Sequence, residues 1–299
     1  SVVNIFAQEW KTVADGVEYA HVRREFSGKA VNINLLRLDL KKVRLDVHHA
    51  LDKAIGTEKT SSIATRHSAF AAINAGFFRL DRTEFAGDAA GILVIDGNVW
   101  SESHDYRIAI RIMNGGTKTE VWFDHLSTET TFRHDSNAVQ LSGINRQRRA
   151  GDMVAYTPEF GERTLTDSLG TEIVFRNCSR AMRCEIFVIE NGGNSPIPKD
   201  GFVLSIGPNQ SEDAARLFER LKSKRDPFET RIMLVTELTG RPRFQLKPAD
   251  DVTNGVPQLI KNGKIDITWE QEKASKSFVE TRHPRTAVAK LKDGKFLML

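Results

Sequence analysis

The sequence predicts an α+β fold: a twisted, largely antiparallel mixed sheet with a few packed helices. Three observations carry that expectation. Apolar and polar residues alternate through the first third of the chain, Asn-Gly and Asp-Gly turns recur between short apolar runs, and one segment has a clear helical stripe. With 299 residues, 40% of them hydrophobic and 27% charged, the chain has the apolar content for a large core and is not compositionally disordered. No low-complexity linker or fixed-period repeat divides it, so one domain over 1–299 is expected, with 208–228 a candidate helical insertion.

Residues 16–24, 31–40 and 43–50 read as strands. In the second, Val31, Ile33 and Leu35 alternate with Asn32 and Asn34, the period of two that half-buries a strand. Residues 60–67 open on Thr and Ser and read as a short helix, leading into 69–73, a small-residue apolar run suited to a buried strand. Asp96-Gly97 separates 92–95 from Val99, Asn262-Gly263 separates 258–260 from Ile265, and Asp293-Gly294 separates 287–291 from 296–299. These dipeptides favour type I′ hairpin turns, where both central residues take positive φ. Residues 211–224 form the clearest helix: Ala214, Leu217, Phe218 and Leu221 make an i, i+3, i+4, i+7 stripe behind a Ser211 cap, with Glu212 and Asp213 in the first turn.

Composition excludes several partners. The 43 Lys and Arg are interspersed with 39 Asp and Glu, so the formal charge of +4 needs no polyanion to explain it. The local basic clusters, Arg146, Arg148, Arg149 and Arg282, His283, Arg285, sit in no nucleic-acid-binding motif, and no nucleic-acid partner is expected. No apolar run approaches the roughly 18 residues of a membrane-spanning helix, so membrane insertion is not expected. The chain starts at Ser1 rather than Met, which suggests a removed upstream segment. Cys178 and Cys184, with five residues between them, fit either a small surface disulfide or two reduced thiols. His21, His48, His49, His67, His104, His125 and His134 are scattered without a helical His-x-x-x-His pair, so no metal or other cofactor is expected.

Several segments occur in the order of one known family: Ile73-Asn-Ala-Gly-Phe-Phe78, Gly91-Ile-Leu-Val-Ile-Asp-Gly-Asn98, Gly143-Ile-Asn-Arg-Gln-Arg-Arg149 leading to Met153-Val-Ala-Tyr-Thr-Pro-Glu-Phe-Gly161, Ile197-Pro-Lys-Asp-Gly-Phe-Val-Leu-Ser205, Asn254-Gly-Val-Pro-Gln-Leu-Ile-Lys-Asn-Gly263 and Thr281-Arg-His-Pro-Arg-Thr-Ala287. Together they resemble the phosphodiester glycosidases, which split a sugar from a sugar-phosphate diester. The family's Asp-Gly-Arg and Asp-Gly-Gly-Gly-Ser motifs would follow Leu299 and are not in this sequence. The resemblance implies a secreted or periplasmic hydrolase of a glycosyl phosphodiester or a related bond in an anionic glycan. Its alternative is a non-catalytic carbohydrate-binding or cell-envelope module on the same scaffold. Either way the expected partner is a carbohydrate or sugar phosphate.

Residue chemistry fits that implication. A departing phosphate monoester is a weaker base than a sugar alkoxide, so the site needs forked cationic donors more than a strong general acid. Arg282 and Arg285, around His283-Pro284 and before a strand from Thr286, are candidate phosphate ligands, and Asp88 is a candidate general base or nucleophile. Glu280 is a second carboxylate beside the arginine pair. Asn74 either faces a ligand or caps a turn in which Gly76 takes positive φ. Asn145, Arg146, Asn254, Gly255, His283 and Thr286 complete the candidate substrate-binding set through the resemblance. Asn74, Asp88, Arg146, Asn254, Arg282 and Arg285 are expected to converge on one cleft.

Overall fold

The computed structural model describes residues 9–299 other than 105, 180–182, 190, 210, 223–230, 241–245 and 247. In chain order the first elements are β1 (Lys11–Ala14), β2 (Val17–Phe26), β3 (Lys29–Leu38), α1 (Thr60–Arg66), β4 (Leu93–Ile95), β5 (Asn98–Ser101), β6 (Ile108–Asn114), β7 (Thr119–His134), β8 (Asn137–Gln140) and β9 (Gly143–Ile144). There follow β10 (Met153–Tyr156), β11 (Thr171–Arg176), β12 (Glu185–Ile189), β13 (Phe202–Ile206), α2 (Glu212–Lys222), β14 (Ile232–Gly240) and β15 (Asp251–Asn254). The last are β16 (Ile260–Lys261), β17 (Lys264–Ile265), α3 (Lys276–Glu280), β18 (Val288–Lys290) and β19 (Phe296–Met298).

Strand accounts for 40% and helix for 9%, so the expected α+β class is corrected to a β-rich fold of several antiparallel sheets. The physical reason lies in the connections: most neighbouring strands are antiparallel and need no helical crossover. One sheet has the order β1-β2-β3-β19-β18, bringing the two ends of the described chain together. A second runs β14-β7-β6-β15-β4-β5, with β8 on β7. The third runs β12-β11-β13-β10-β9, and only its β9–β10 pair is parallel.

The first two sheets enclose one core of Val17, Leu38, Leu45, Ile112, Val121 and Phe296. Another core joins Phe132 and Ile232 of the second sheet to Ile173, Phe175 and Leu204 of the third, and receives Ala214, Leu217 and Leu221 of α2. Burying each leucine there contributes about 1.5–3 kcal/mol, so the predicted helical stripe is the packed face. Ser211 Oγ accepts from the Ala214 amide as the predicted cap. The helix is described to Lys222, and the rest of the expected 211–224 helix, like parts of the 208–228 insertion, lies outside the described residues.

Three local expectations are overturned. Residues 43–47 are not a strand: side chains bind their backbone instead, Asn114 bracketing Leu45, Thr119 donating to the Val43 carbonyl at 2.9 Å and Asp251 accepting from the Val47 amide at 3.2 Å. Residues 69–73 are irregular and mostly exposed, Phe70 being 65% accessible. Alanines counted as apolar in sequence bury little area, and helix α1 ends directly into them through the Ala69 amide on the Ala64 carbonyl. The Asp96-Gly97 and Asn262-Gly263 turns have both residues at positive φ as expected, whereas in Asp293-Gly294 only the glycine does. There a longer loop closes through the Leu291 amide on the Lys295 carbonyl. Cys178 and Cys184 form a disulfide, which resolves the alternative the spacing left open.

Candidate functional site

Strand β15 ends at Asn254, paired with Ala109 of β6, and the next amide, that of Gly255, donates to the Ile108 carbonyl. Here the sheet is covered by two segments paired antiparallel to each other. The 77–79 and 88–90 stretches pair through the Ala90 amide on the Phe77 carbonyl at 2.7 Å and the Arg79 amide on the Asp88 carbonyl at 2.9 Å. This places Gly76 and Gly91 against the Asn254 side chain. A methyl on Gly91 would stand 2.6 Å from Asn254 Nδ2, and one on Gly76 3.1 Å from Thr253 Oγ1. Both glycines have positive φ, +62° and +123°, so backbone freedom and close approach each demand glycine. Asn254 is 5% exposed and its Nδ2 is buried without a hydrogen-bond partner among the described residues. Gly91→Ala is expected to cost roughly 1–3 kcal/mol, because the methyl must displace the buried amide and the backbone must hold φ +123°. A melting curve indistinguishable from the parent's would refute that packing.

Beside the amide runs a chain of aromatic and guanidinium groups. Phe77 meets Phe278 of α3 edge-on at 5.8 Å between centroids, Arg107 lies over Phe77 at 5.4 Å, and Arg285 lies over Phe278 at 4.1 Å. Arg285 Nη2 donates to the Phe278 carbonyl and, at 3.0 Å, to the Thr281 carbonyl, closing the end of α3. Its Nε and Nη1 bind nothing among the described residues, and the Nε of Arg107 is buried without a partner. Two arginines with open donors thus sit on one aromatic pair, next to Gly76 and an open amide.

Asp88 belongs to the same pairing and is within the charge reach of Arg79 and Glu102. It is 5% exposed, its Oδ1 has no partner, and burial pushes its carboxyl up to about 7, Arg79 opposing and Glu102 adding to the rise. Burial also raises Glu102, whose Oε2 accepts from the Ile144 amide at 3.0 Å. Arg146 has a scaffold role in this cluster. Its Nε donates to Glu102 at 2.7 Å, Nη1 to Asp152 at 2.6 Å and to the Gln147 carbonyl, and Nη2 to the Ser142 carbonyl. Arg148 is buried too, held by Ser205, the Ile206 carbonyl and Asp167, so these arginines are not an exposed basic strand. Asn145, fully buried, is satisfied by the Val99 carbonyl, Thr157 Oγ1 and the Thr157 amide, which locks its own positive φ of 51°.

The remaining candidates disperse. Asn74 is exposed rather than at the end of a buried strand, and its Oδ1 accepts from Thr60 Oγ1 at the start of α1. Gly255 faces open space, so no close backbone approach explains it. Arg282 reaches the Ala30 carbonyl at the start of β3 at 3.2 Å, away from Arg285's contacts. His283 and Thr286 are exposed, and Thr286 precedes the strand that begins at Val288. Glu280 instead lies within 3.7 Å of Lys276 one turn earlier on α3. Gly76 therefore packs on Asn254, and Arg285 is linked to them only through Phe278 and Phe77. Asp88 feels the charges of Arg79 and Glu102, the latter bound to Arg146, and Arg282 binds the start of β3 instead.

Sequence reading missed Arg107, Arg79 and Glu102. Arg107, immediately before the apolar run of β6, carried a signal, since a lone cation at a strand end beside turn residues is a frequent site position. Glu102 carried none: only folding sets it beside Arg146, 44 residues away.

No protein-family model matches the chain, and no curated protein does. Solved structures are similar. The crystal structure of a hypothetical protein from Synechocystis shares 18% identity at a TM-score of 0.72, covering 99% of this chain and 52% of that one. A protein of Burkholderia pseudomallei K96243 named as an inferred exported protein shares 17% identity at a TM-score of 0.66, covering 94% and 61%. These likenesses establish the fold, and the chain spans between half and two thirds of the length of either relative. The disulfide, and the naming of the Burkholderia neighbour as an exported protein, are consistent with a location outside the cytoplasm. No described helix is long and apolar enough to cross a membrane.

Proposed function

We propose that the region around Asn254, Arg107, Arg285 and Asp88 hydrolyses a glycosyl phosphodiester, in a secreted or periplasmic setting. The observation that carries the reading is the buried, unpartnered Asn254 Nδ2 beside two arginines with open donors. A buried donor left unpaired costs about 1–3 kcal/mol, so the arrangement is understandable as one completed by an acceptor-rich ligand. Phosphate oxygens suit Arg107 and Arg285, and a sugar hydroxyl or ring substituent suits Asn254. The arginines stabilise charge on the departing phosphate monoester, which removes the need for strong protonation of the leaving oxygen. Asp88, with its carboxyl at about 7, is poised as a general base toward water at neutral pH.

Incubation with sugar-1-phosphodiesters and with neutral aryl glycosides tests the reading. Sugar release from the phosphodiesters alone is expected. Asn254→Ala should lower kcat/KM at least about tenfold, equivalent to one neutral hydrogen bond in the transition state. It should leave the melting temperature unchanged or higher, because the amide donor it removes is unsatisfied in the free protein. Binding of both substrate classes without turnover would replace the enzyme by a carbohydrate-binding module.

A further inference from the structure

Outside that region, the arch of residues 48–67 gathers three side chains with metal-ligating atoms. His48, Asp52 and His67 each present one such atom, all within 4.8 Å of one another. The two imidazoles stack at 3.5 Å between centroids and 12° between planes. His67 Nε2 lies 2.9 Å from Asp52 Oδ1 and also 2.9 Å from Arg66 Nη1. A carboxylate oxygen only accepts and a guanidinium nitrogen only donates. One ring nitrogen cannot satisfy both: protonated, it opposes Arg66, and unprotonated, it opposes Asp52. An ion that takes lone pairs from Nε2 and from Asp52 Oδ1 removes the conflict, while Arg66 keeps Glu58, which it contacts at 2.7 Å, and Asp52 Oδ2, to which its Nη1 donates.

We propose that His48, Asp52 and His67 form a binding site for a divalent transition metal of the Zn2+ type. Two imidazole nitrogens and one carboxylate suit zinc rather than the oxygen-loving Ca2+ or Mg2+, and three protein ligands leave a position for water. Ligands at about 2.0–2.1 Å from one tetrahedral ion lie roughly 3.4 Å apart, so side-chain rotation within the 4.8 Å cluster closes the site. The ion parts the stacked rings and ties the segment before α1 to the end of that helix. Helix α1 begins at Thr60, which holds Asn74, and the Gly56 backbone packs against Gly87 beside Asp88. The site therefore braces the segments carrying Asn74 and Gly87, whatever reaction the residues beyond them perform.

Equilibrium dialysis of the metal-stripped protein against micromolar Zn2+, with Co2+ visible absorption as a second readout, tests the proposal. One equivalent of Zn2+ is expected, with Co2+ giving d–d bands of nitrogen and oxygen ligation. His48→Gln and Asp52→Asn should each weaken Zn2+ binding at least about tenfold and reduce the Co2+ bands. His21→Gln, on exposed β2, should change neither. Circular dichroism without metal establishes that each variant folds; should one fail, the other carries the same test, since the Asp52 side chain is 50% exposed. Sub-stoichiometric Zn2+ uptake by the parent, or equal uptake by the folded His48 and Asp52 variants, would overturn the site.

Discussion

Asp88→Asn is expected to stabilise the protein above neutral pH while abolishing most of the proposed phosphodiester hydrolysis. The carboxyl rises from its ordinary 3.8 to about 7 because folding buries it, the Glu102 charge adding to the rise against Arg79. The folded state therefore binds a proton that the unfolded state has already released between those two values, and stability falls as pH climbs through that interval. The stability associated with the protonated form is complete below about pH 4 and gone above about pH 7. At about 1.4 kcal/mol per pKa unit, the penalty at alkaline pH is on the order of 4 kcal/mol. Asparagine keeps the shape and carries no charge to bury, so the variant should match the parent near pH 4 and melt several degrees higher at pH 8. Its loss of hydrolysis should be at least about a hundredfold, the ordinary contribution of a positioned general base. Thermal unfolding of both proteins across pH 4–9 with parallel kcat measurements reads both effects. A variant that gains stability and keeps its turnover would leave Asp88 a buried acid with no part in the reaction.

Arg146→Ala has the largest expected cost to the fold, about 3 kcal/mol or more. Its side chain is 20% exposed and holds two carboxylates, Glu102 and Asp152, whose side chains are 26% and 17% exposed. Truncation leaves both charges half-buried without their cation and frees the Ser142 and Gln147 carbonyls as well. The melting temperature should fall by roughly 5–10 °C. Adding Glu102→Gln to the alanine variant should recover part of the loss, since one of the stranded charges is then gone. A substrate-binding Arg146, as the family resemblance implied, predicts another result: an unmoved melting temperature and a raised KM.

How much was legible depended on the range over which each feature is determined. The period of β2 and β3, the Asp96-Gly97 and Asn262-Gly263 turns and the apolar stripe of α2 were readable because local sterics and the burial of one face decide them. Residues 43–50 and 69–73 were misread as strands for the opposite reason. An extended apolar run becomes a strand only if a partner edge is free, and Asn114, Thr119 and Asp251 hold the first run with side chains instead. The balance of the fold class failed in the same way: short helices can be read in sequence, but how much of the remaining chain pairs into sheets depends on partners far away.

The site divides along the same line. Sequence alone offered positive φ at Gly76 as one of two readings, and it determined that Asp96-Gly97 turns the chain back and that an arginine precedes the last hairpin, since these follow from backbone sterics and residue type. Only the tertiary structure decided which amide is buried and unpartnered, Asn254 rather than Asn74, and that Arg146 is fully engaged by two carboxylates and two carbonyls while Arg285 closes the end of α3 with one nitrogen only. It alone set Arg107 on Phe77, Glu102 against Arg146, and His48 against His67. Burial, desolvation and charge pairing are properties of the space around a side chain, and that space is built by segments as far apart in the chain as Gly91 and Asn254.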